Sequence, residues 1–262
     1  MTEDASTAPN FPNGADTCLS FTISGPWGHF RRIEGNIVKQ TYRVIPRTTV
    51  AGLIAAMLGI ERDGYYELFA PGESLVAIEP VSKLRTMKLP MNTLSTADEH
   101  LASLNPRGKL SIKLPDPSKP RQQHNYEVLV DPAYRIDVWL SNDERYEQLH
   151  SLLESGESYY VPSLGLSECL ATVDYHGEFP IEPGADSETV TVDSTVPEAV
   201  DSVVPEPETR YQIEQTPAFM ERDGDGRTTS AFVSYVYNPD GGSLRLTEVS
   251  PRSVDGRSVV FT

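Results

Sequence analysis

Lysine is missing from the chain beyond residue 119, and residues 146–209 hold neither lysine nor arginine while carrying 14 acidic side chains. No apolar run approaches the roughly 18 residues that a bilayer-spanning helix needs, so no membrane contact is expected. Cysteine is nearly absent. Cys18 and Cys169 sit in apolar, strand-like runs and read as buried free thiols rather than a disulfide. No cysteine–histidine spacing suits a metal, so the expected metal ligands and cofactors are none. Residues 1–16 are acidic and lack an apolar signal region, which predicts a flexible tail and a cytoplasmic protein. Also missing are a glycine-rich phosphate loop, a nucleophile elbow and paired metal-binding histidines. Asp223-Gly-Asp-Gly226 lacks the other ligands of a calcium loop and predicts a plain turn.

The charge that is present is unevenly spread. Of the formal net charge of −16, residues 146–209 account for −14, and arginine outnumbers lysine 16 to 6. Such an acidic, lysine-poor surface fits a high-salt cytoplasm, where self-repulsion is screened within a few ångströms. Counterion release weakens as salt rises. A polyanion binder working there depends more on stacking and on bidentate guanidinium contacts.

Against that background stands a basic, aromatic island. Residues 27–47 carry Arg31, Arg32, Lys39, Arg43 and Arg47 against the single acid Glu34, interleaved with Trp27, His29, Phe30 and Tyr42. Cations mixed with flat rings suit a groove that tracks phosphates while stacking bases. Trp27 and Phe30 suit the core equally well, and His29 could be a loop hydrogen bonder. Arg47 and Thr48 stand where a helix N-terminus would attract phosphate.

Thr17 to Ser24 alternates as a strand and is broken by Gly25-Pro26. After Pro46, Thr48 or Thr49 can cap a helix that buries Val50, Leu53, Ile54, Met57 and Leu58, with Gly59 as its stop. A strand is expected around Leu75 to Ile78. Residues 82–124 are basic and interrupted by prolines, which predicts an inserted hairpin carrying Lys109 and Lys113. Tyr126 to Val130 and Ala133 to Leu140 read as strands. Asn142 caps a helix over 143–155 that stops at Gly156, and Cys169 to Tyr175 alternates as a strand. Without the insertion the order is β-α-β-β-α-β, an α+β, ferredoxin-like, RNA-recognition-like core over 17–179. Residues 180–209, acidic and proline-rich, are expected to be a surface loop or linker. Ala231 to Tyr237, Ser243 to Val249 and Ser258 to Phe261 form a C-terminal β-rich extension of the same domain. Asn238-Pro-Asp-Gly-Gly242 reads as a hairpin turn between the first two.

Taken together these motifs resemble a known family. Ser24-Gly25, Trp27-Gly-His-Phe-Arg-Arg32, Val38-Lys-Gln-Thr-Tyr42, Pro46-Arg-Thr-Thr49 and Ala51 to Gly59 match its opening. Pro162-Ser-Leu-Gly165 with Ser167-Glu-Cys169 matches its second signature. The chain is similar to the fifth CRISPR-associated (Cas) protein family, the subunit that caps the 5′ handle of the guide RNA in type I surveillance complexes, with I-B the expected subtype. The resemblance implies a ferredoxin-like core with a β-hairpin thumb. It also implies as partners the guide RNA, repeating backbone subunits, a large subunit and target DNA near its flanking motif. The basic loop, the helix at Thr48 and the thumb would grip the handle, while base pairing of the guide selects the target. The expected role is non-catalytic. The alternative is a metal-independent endoribonuclease that processes precursor guide RNA, a reaction that needs a base, an acid and a cation, roles that Tyr42, Lys119 and His124 could nominally share.

Overall fold

The computed structural model describes residues 11–12, 14–32, 38–93, 101–104, 112–116, 122–224 and 226–262. Among these residues the protein is mostly β, with two α-helices. Four strands form the central antiparallel sheet, in the spatial order Thr172–Pro180, Thr17–Ser24, Ala133–Leu140, Ser74–Pro80. In chain order these are the fourth, first, third and second core strands, with one helix after the first and one after the third.

Alternation explains how the opening strand packs. Leu19, Phe21 and Ile23 are fully buried on one face, and on the other face Ser20 accepts from Arg135 Nε at 2.9 Å. The neighbouring strand Ala133–Leu140 supplies Tyr134, Ile136 and Val138, all without solvent exposure.

Helix α1, Arg47–Met57, begins one residue before the expected caps. Pro46 occupies the N-cap position in extended geometry and makes no side-chain cap, so Thr48 and Thr49 lie inside the first turn. Proline fits here because its fixed φ leads into the helix and it has no N–H to satisfy. Val50, Leu53, Ile54 and Met57 face the core as the spacing predicts, and Gly59 takes φ 72° beyond the end. Helix α2, Asp143–Ser155, has the expected bounds. Asn142 accepts from the Arg145 amide at 3.0 Å, and Gly156 closes it in the left-handed region.

The basic insertion is a hairpin. Arg85–Thr93 pairs antiparallel with Gln122–Val130, and farther out Leu101–Leu104 pairs with Ile112–Pro115. Its return strand therefore extends to Val130, and Tyr126 to Val130 belongs to this hairpin rather than to the central sheet.

Three further expectations are corrected. Residues 180–209 are not a bare loop. Thr189–Val192 pairs with Leu244–Thr247, and Val190, Val192, Val196 and Ala199 are buried in a second cluster with Val236, Leu244 and Leu246. The alternating valines are the cause, since they offset an acidic composition once a partner strand is in place. Nor does Asn238 to Gly242 join a hairpin: Gly226–Tyr237 pairs back onto Gln212–Asp223 through the turn at Gly224. The last core strand, expected over Cys169 to Tyr175, is Thr172–Pro180, and Leu170 makes a separate bridge to Ser163.

Candidate nucleic-acid interface

The basic island folds as a narrow ribbon at the base of the hairpin. Phe30–Arg31 pairs with Thr41–Tyr42, Trp27–Gly28 pairs with Leu129 and Val130, and Val38–Lys39 runs parallel beside Asn125 and Tyr126. Alternation sorts the side chains. Phe30 and Tyr42 turn inward, while Arg31 is exposed and Arg32, Lys39 and Arg43 are half-buried. Glu127 ties the ribbon to the hairpin: its carboxylate accepts from the Thr41 amide at 3.3 Å and from Thr86 Oγ1 at 3.2 Å.

The expected site residues now separate into three groups. Arg47 leaves the interface altogether. It is 1% exposed, and its guanidinium donates to the carbonyls of Thr262, Phe69, Ala218 and Ser74 and to Ser74 Oγ, the last at 2.6 Å. The Phe219 ring covers it at 4.2 Å. Burial lowers its pKa to about 10. No phosphate reaches a cation so enclosed; Arg47 joins α1 to the core.

Phe30, Tyr42 and His29 are likewise interior. Phe30 packs 5.9 Å from Tyr134, and Arg32 lies 5.1 Å over the Tyr42 ring, so neither aromatic is an open stacking surface. Trp27 is half-buried against the core. The His29 Nδ1 lies 2.8 Å from the Glu127 carbonyl, which fixes Nδ1 as the donor and leaves Nε2 as an acceptor with no partner among the described residues. Burial holds its pKa below the usual histidine value, with Arg31 adding to the effect. Arg32 is partly neutralised, with Nη1 3.8 Å from Glu214 Oε1. Glu214 accepts from the Arg43 and Val44 amides at 2.7 and 3.0 Å, and burial raises its pKa.

Arg31, Thr48 and the backbone of His29 remain, and they meet in a cleft of about 390 Å³. Its walls are the ribbon, the first turns of α1 and the loop after Val161. The floor of that loop is Gly165, at φ 92°, where a Cβ would lie 2.0 Å from the His29 carbonyl oxygen. The His29 amide in turn donates to the Leu164 carbonyl at 2.9 Å. The two sequence motifs, well over a hundred residues apart, are thus in backbone contact, and only glycine permits it. Sequence reasoning missed Tyr65 and Arg227, which complete the cleft from the α1 exit and the long C-terminal hairpin. Tyr65 offered no motif, and Arg227 reaches the site only through tertiary packing.

Lys113 is exposed on the outer hairpin, and Lys109 and Lys119 lie outside the described residues. Among the described residues no cluster of three His, Cys, Asp or Glu side chains could hold a metal, and no helix is long and apolar enough to cross a membrane. The cleft has the chemistry of an anion site. The first turn of α1 contains no acid to oppose the helix dipole, and Arg31 is exposed with no ion pair among the described residues.

Residues 18–235 match the family model described as CRISPR-associated protein (Cas_Cas5). A solved structure described as a CRISPR RNA-guided surveillance complex aligns with TM-score 0.51 at 13% identity, over 87% of this chain and 91% of that one. A CRISPR protein from Archaeoglobus fulgidus aligns with TM-score 0.47 at 14% identity, over 93% and 97%. A structure described as a Cas protein gives 0.40 at 16%, over 88% and 95%. No curated protein matches. With the family model spanning most of its length and both motifs converging on one cleft, the chain belongs to the Cas5 family of CRISPR-associated proteins.

Proposed function

We propose that this protein is a non-catalytic RNA-binding subunit of a type I CRISPR surveillance complex, holding the 5′ handle of the mature guide RNA in the cleft between the basic ribbon, α1 and the Gly165 loop. The carrying observation is the backbone contact of Gly165 with His29, which sets the exposed Arg31 beside a helix N-terminus. A single strand threaded there meets the guanidinium groups of Arg31 and Arg227, helix amides and a wall too slim to block it. The fourth–first–third–second strand order with two helices supports a ferredoxin-like core, and the paired insertion supports a thumb. The repeating backbone subunits, the large subunit and target DNA near its flanking motif are the partners this role brings, in an intracellular ribonucleoprotein of subtype I-B.

The test changes Arg31, Arg32 and Arg43 to alanine and purifies the assembled complex from the host. Guide RNA recovery is expected to fall sharply. Normal recovery with an intact handle overturns the proposal. Incubating the purified protein with repeat RNA in chelator checks the catalytic status: specific cutting would make it a nuclease.

A further inference from the structure

A second groove of about 550 Å³ continues from the cleft along the outer face of α1. Gly52, Ala56, Tyr65 and Arg227 line both, so the two form one path. Its floor is α1 at Gly52, Ala55 and Ala56, where the helix carries only small side chains, and the Tyr65 hydroxyl closes one wall over Gly52. The opposite wall is Tyr160. Its amide donates to the Ala56 carbonyl at 3.2 Å and the Tyr159 amide to the Met57 carbonyl at 3.0 Å, so the last turn of α1 fixes this segment. Tyr160 nevertheless stays 53% exposed as a residue, with the Tyr159 ring edge-on at a centroid distance of 4.8 Å. A flat, held, half-exposed ring beside a groove is suited to stacking against another flat ring.

The rim supplies charge. Arg62 and Arg227 flank the groove, each sharing the Asp63 carboxylate, at 3.7 and 3.4 Å. Those pairs are solvent-accessible and weak, so a phosphate competes for either guanidinium. Among the described residues the acids at this groove are Glu61 in its lining and Asp63 on its rim.

Resting on the function proposed above, we propose that this groove is a stacking subsite for one unpaired nucleobase of the strand held in the neighbouring cleft. Tyr160 is the platform, and Arg62 and Arg227 contact the adjoining phosphates. Continuity with the cleft favours a nucleotide over a protein segment, because Gly52, Ala56, Tyr65 and Arg227 line both and offer a strand in the cleft a path along the small side chains of α1.

The experiment measures binding of the purified full chain to the fluorescently labelled single-stranded leader of the host repeat RNA. The same strand is then tested with an abasic residue at each position in turn. Tyr160→Ala is expected to weaken binding of the intact leader about tenfold, the loss of one base–aromatic stack, while Tyr160→Phe binds normally. At one abasic position Tyr160→Ala should cost nothing further, which identifies the stacked base. Unchanged binding by Tyr160→Ala, or a loss that adds to every abasic strand, overturns the subsite alone. So does a variant that binds RNA normally yet fails to assemble with its protein partners, because that marks a protein contact. Failure of the unaltered chain to bind the leader overturns the proposed function as well.

Discussion

Arg257 forks onto Asp137, with Nη2 2.6 Å from Oδ1 and Nη1 3.0 Å from Oδ2. Nη1 also donates to Glu79 at 2.9 Å, and Asp137 has no solvent exposure. The pair lies on the face of the central sheet where Ser20 accepts from Arg257 Nη2 at 3.4 Å. Removing one member strands the other charge in the interior. Arg257→Ala is therefore expected to lower unfolding free energy by about 3–5 kcal/mol in urea titration. RNA affinity of the protein that remains folded should be unchanged.

Arg31 and Arg47 should respond in opposite ways. Arg31→Ala is expected to leave the melting temperature within about 1 °C, since exposed substitutions change stability little. It should reduce RNA affinity and flatten the salt dependence by roughly 0.7 in log–log slope, the contribution of one phosphate contact on a single strand. Arg47→Ala should destabilise by at least about 3 kcal/mol, because four carbonyls and a hydroxyl lose a charged donor. Thermal melts and salt-titrated binding of both variants separate the two roles.

Gly165→Ala places a methyl group against the His29 carbonyl and forces a non-glycine residue to a positive φ. Strain of about 1–3 kcal/mol is expected, together with displacement of the loop from the ribbon. Binding of the leader RNA should fail in variant protein whose circular dichroism remains native. Native affinity would show that the loop contact is dispensable to the cleft.

The pH response of His29 has a defined sign. Its folded-state pKa lies below 6.5, chiefly through burial. The neutral ring thus contributes stability that is complete above the unfolded value and is lost as pH falls through the folded one. Between neutral pH and about pH 5, the native protein should lose more stability than His29→Gln, measured by denaturant titration at each pH. Equal losses in the two proteins would place the titration elsewhere.

Much of the frame can be read from residues alone. Asn142 and Gly156 bracket α2 because capping is local chemistry, and the spacing from Val50 to Met57 orients α1 because helical periodicity is local as well. The site is less legible. Arg47 stands in a run of cations that looks solvated, and only the chain segments around Ser74, Phe69, Ala218 and Thr262 disclose its burial. Phe30 and Tyr42 alternate with arginines, and a strand two residues long is too brief for the pattern to show which side faces in. Arg227 and Tyr65 join the cleft from distant elements and leave no trace in any window of sequence. The valines of 189–199 are outweighed in the sequence by acidic neighbours, and only the pairing of Thr189–Val192 with Leu244–Thr247 and of Val196 with Val236 discloses them as core.

Because the hydrogen bonds of Arg47 go to main-chain oxygens and the Ser74 hydroxyl and, among the described residues, to no Asp or Glu side chain, dissolved ions have little to shield at that joint. The scaffold under the cleft should stay taut from dilute buffer to brine. Ionic strength then acts on the grip alone, tuning how long a bound strand lingers while its seat keeps its shape.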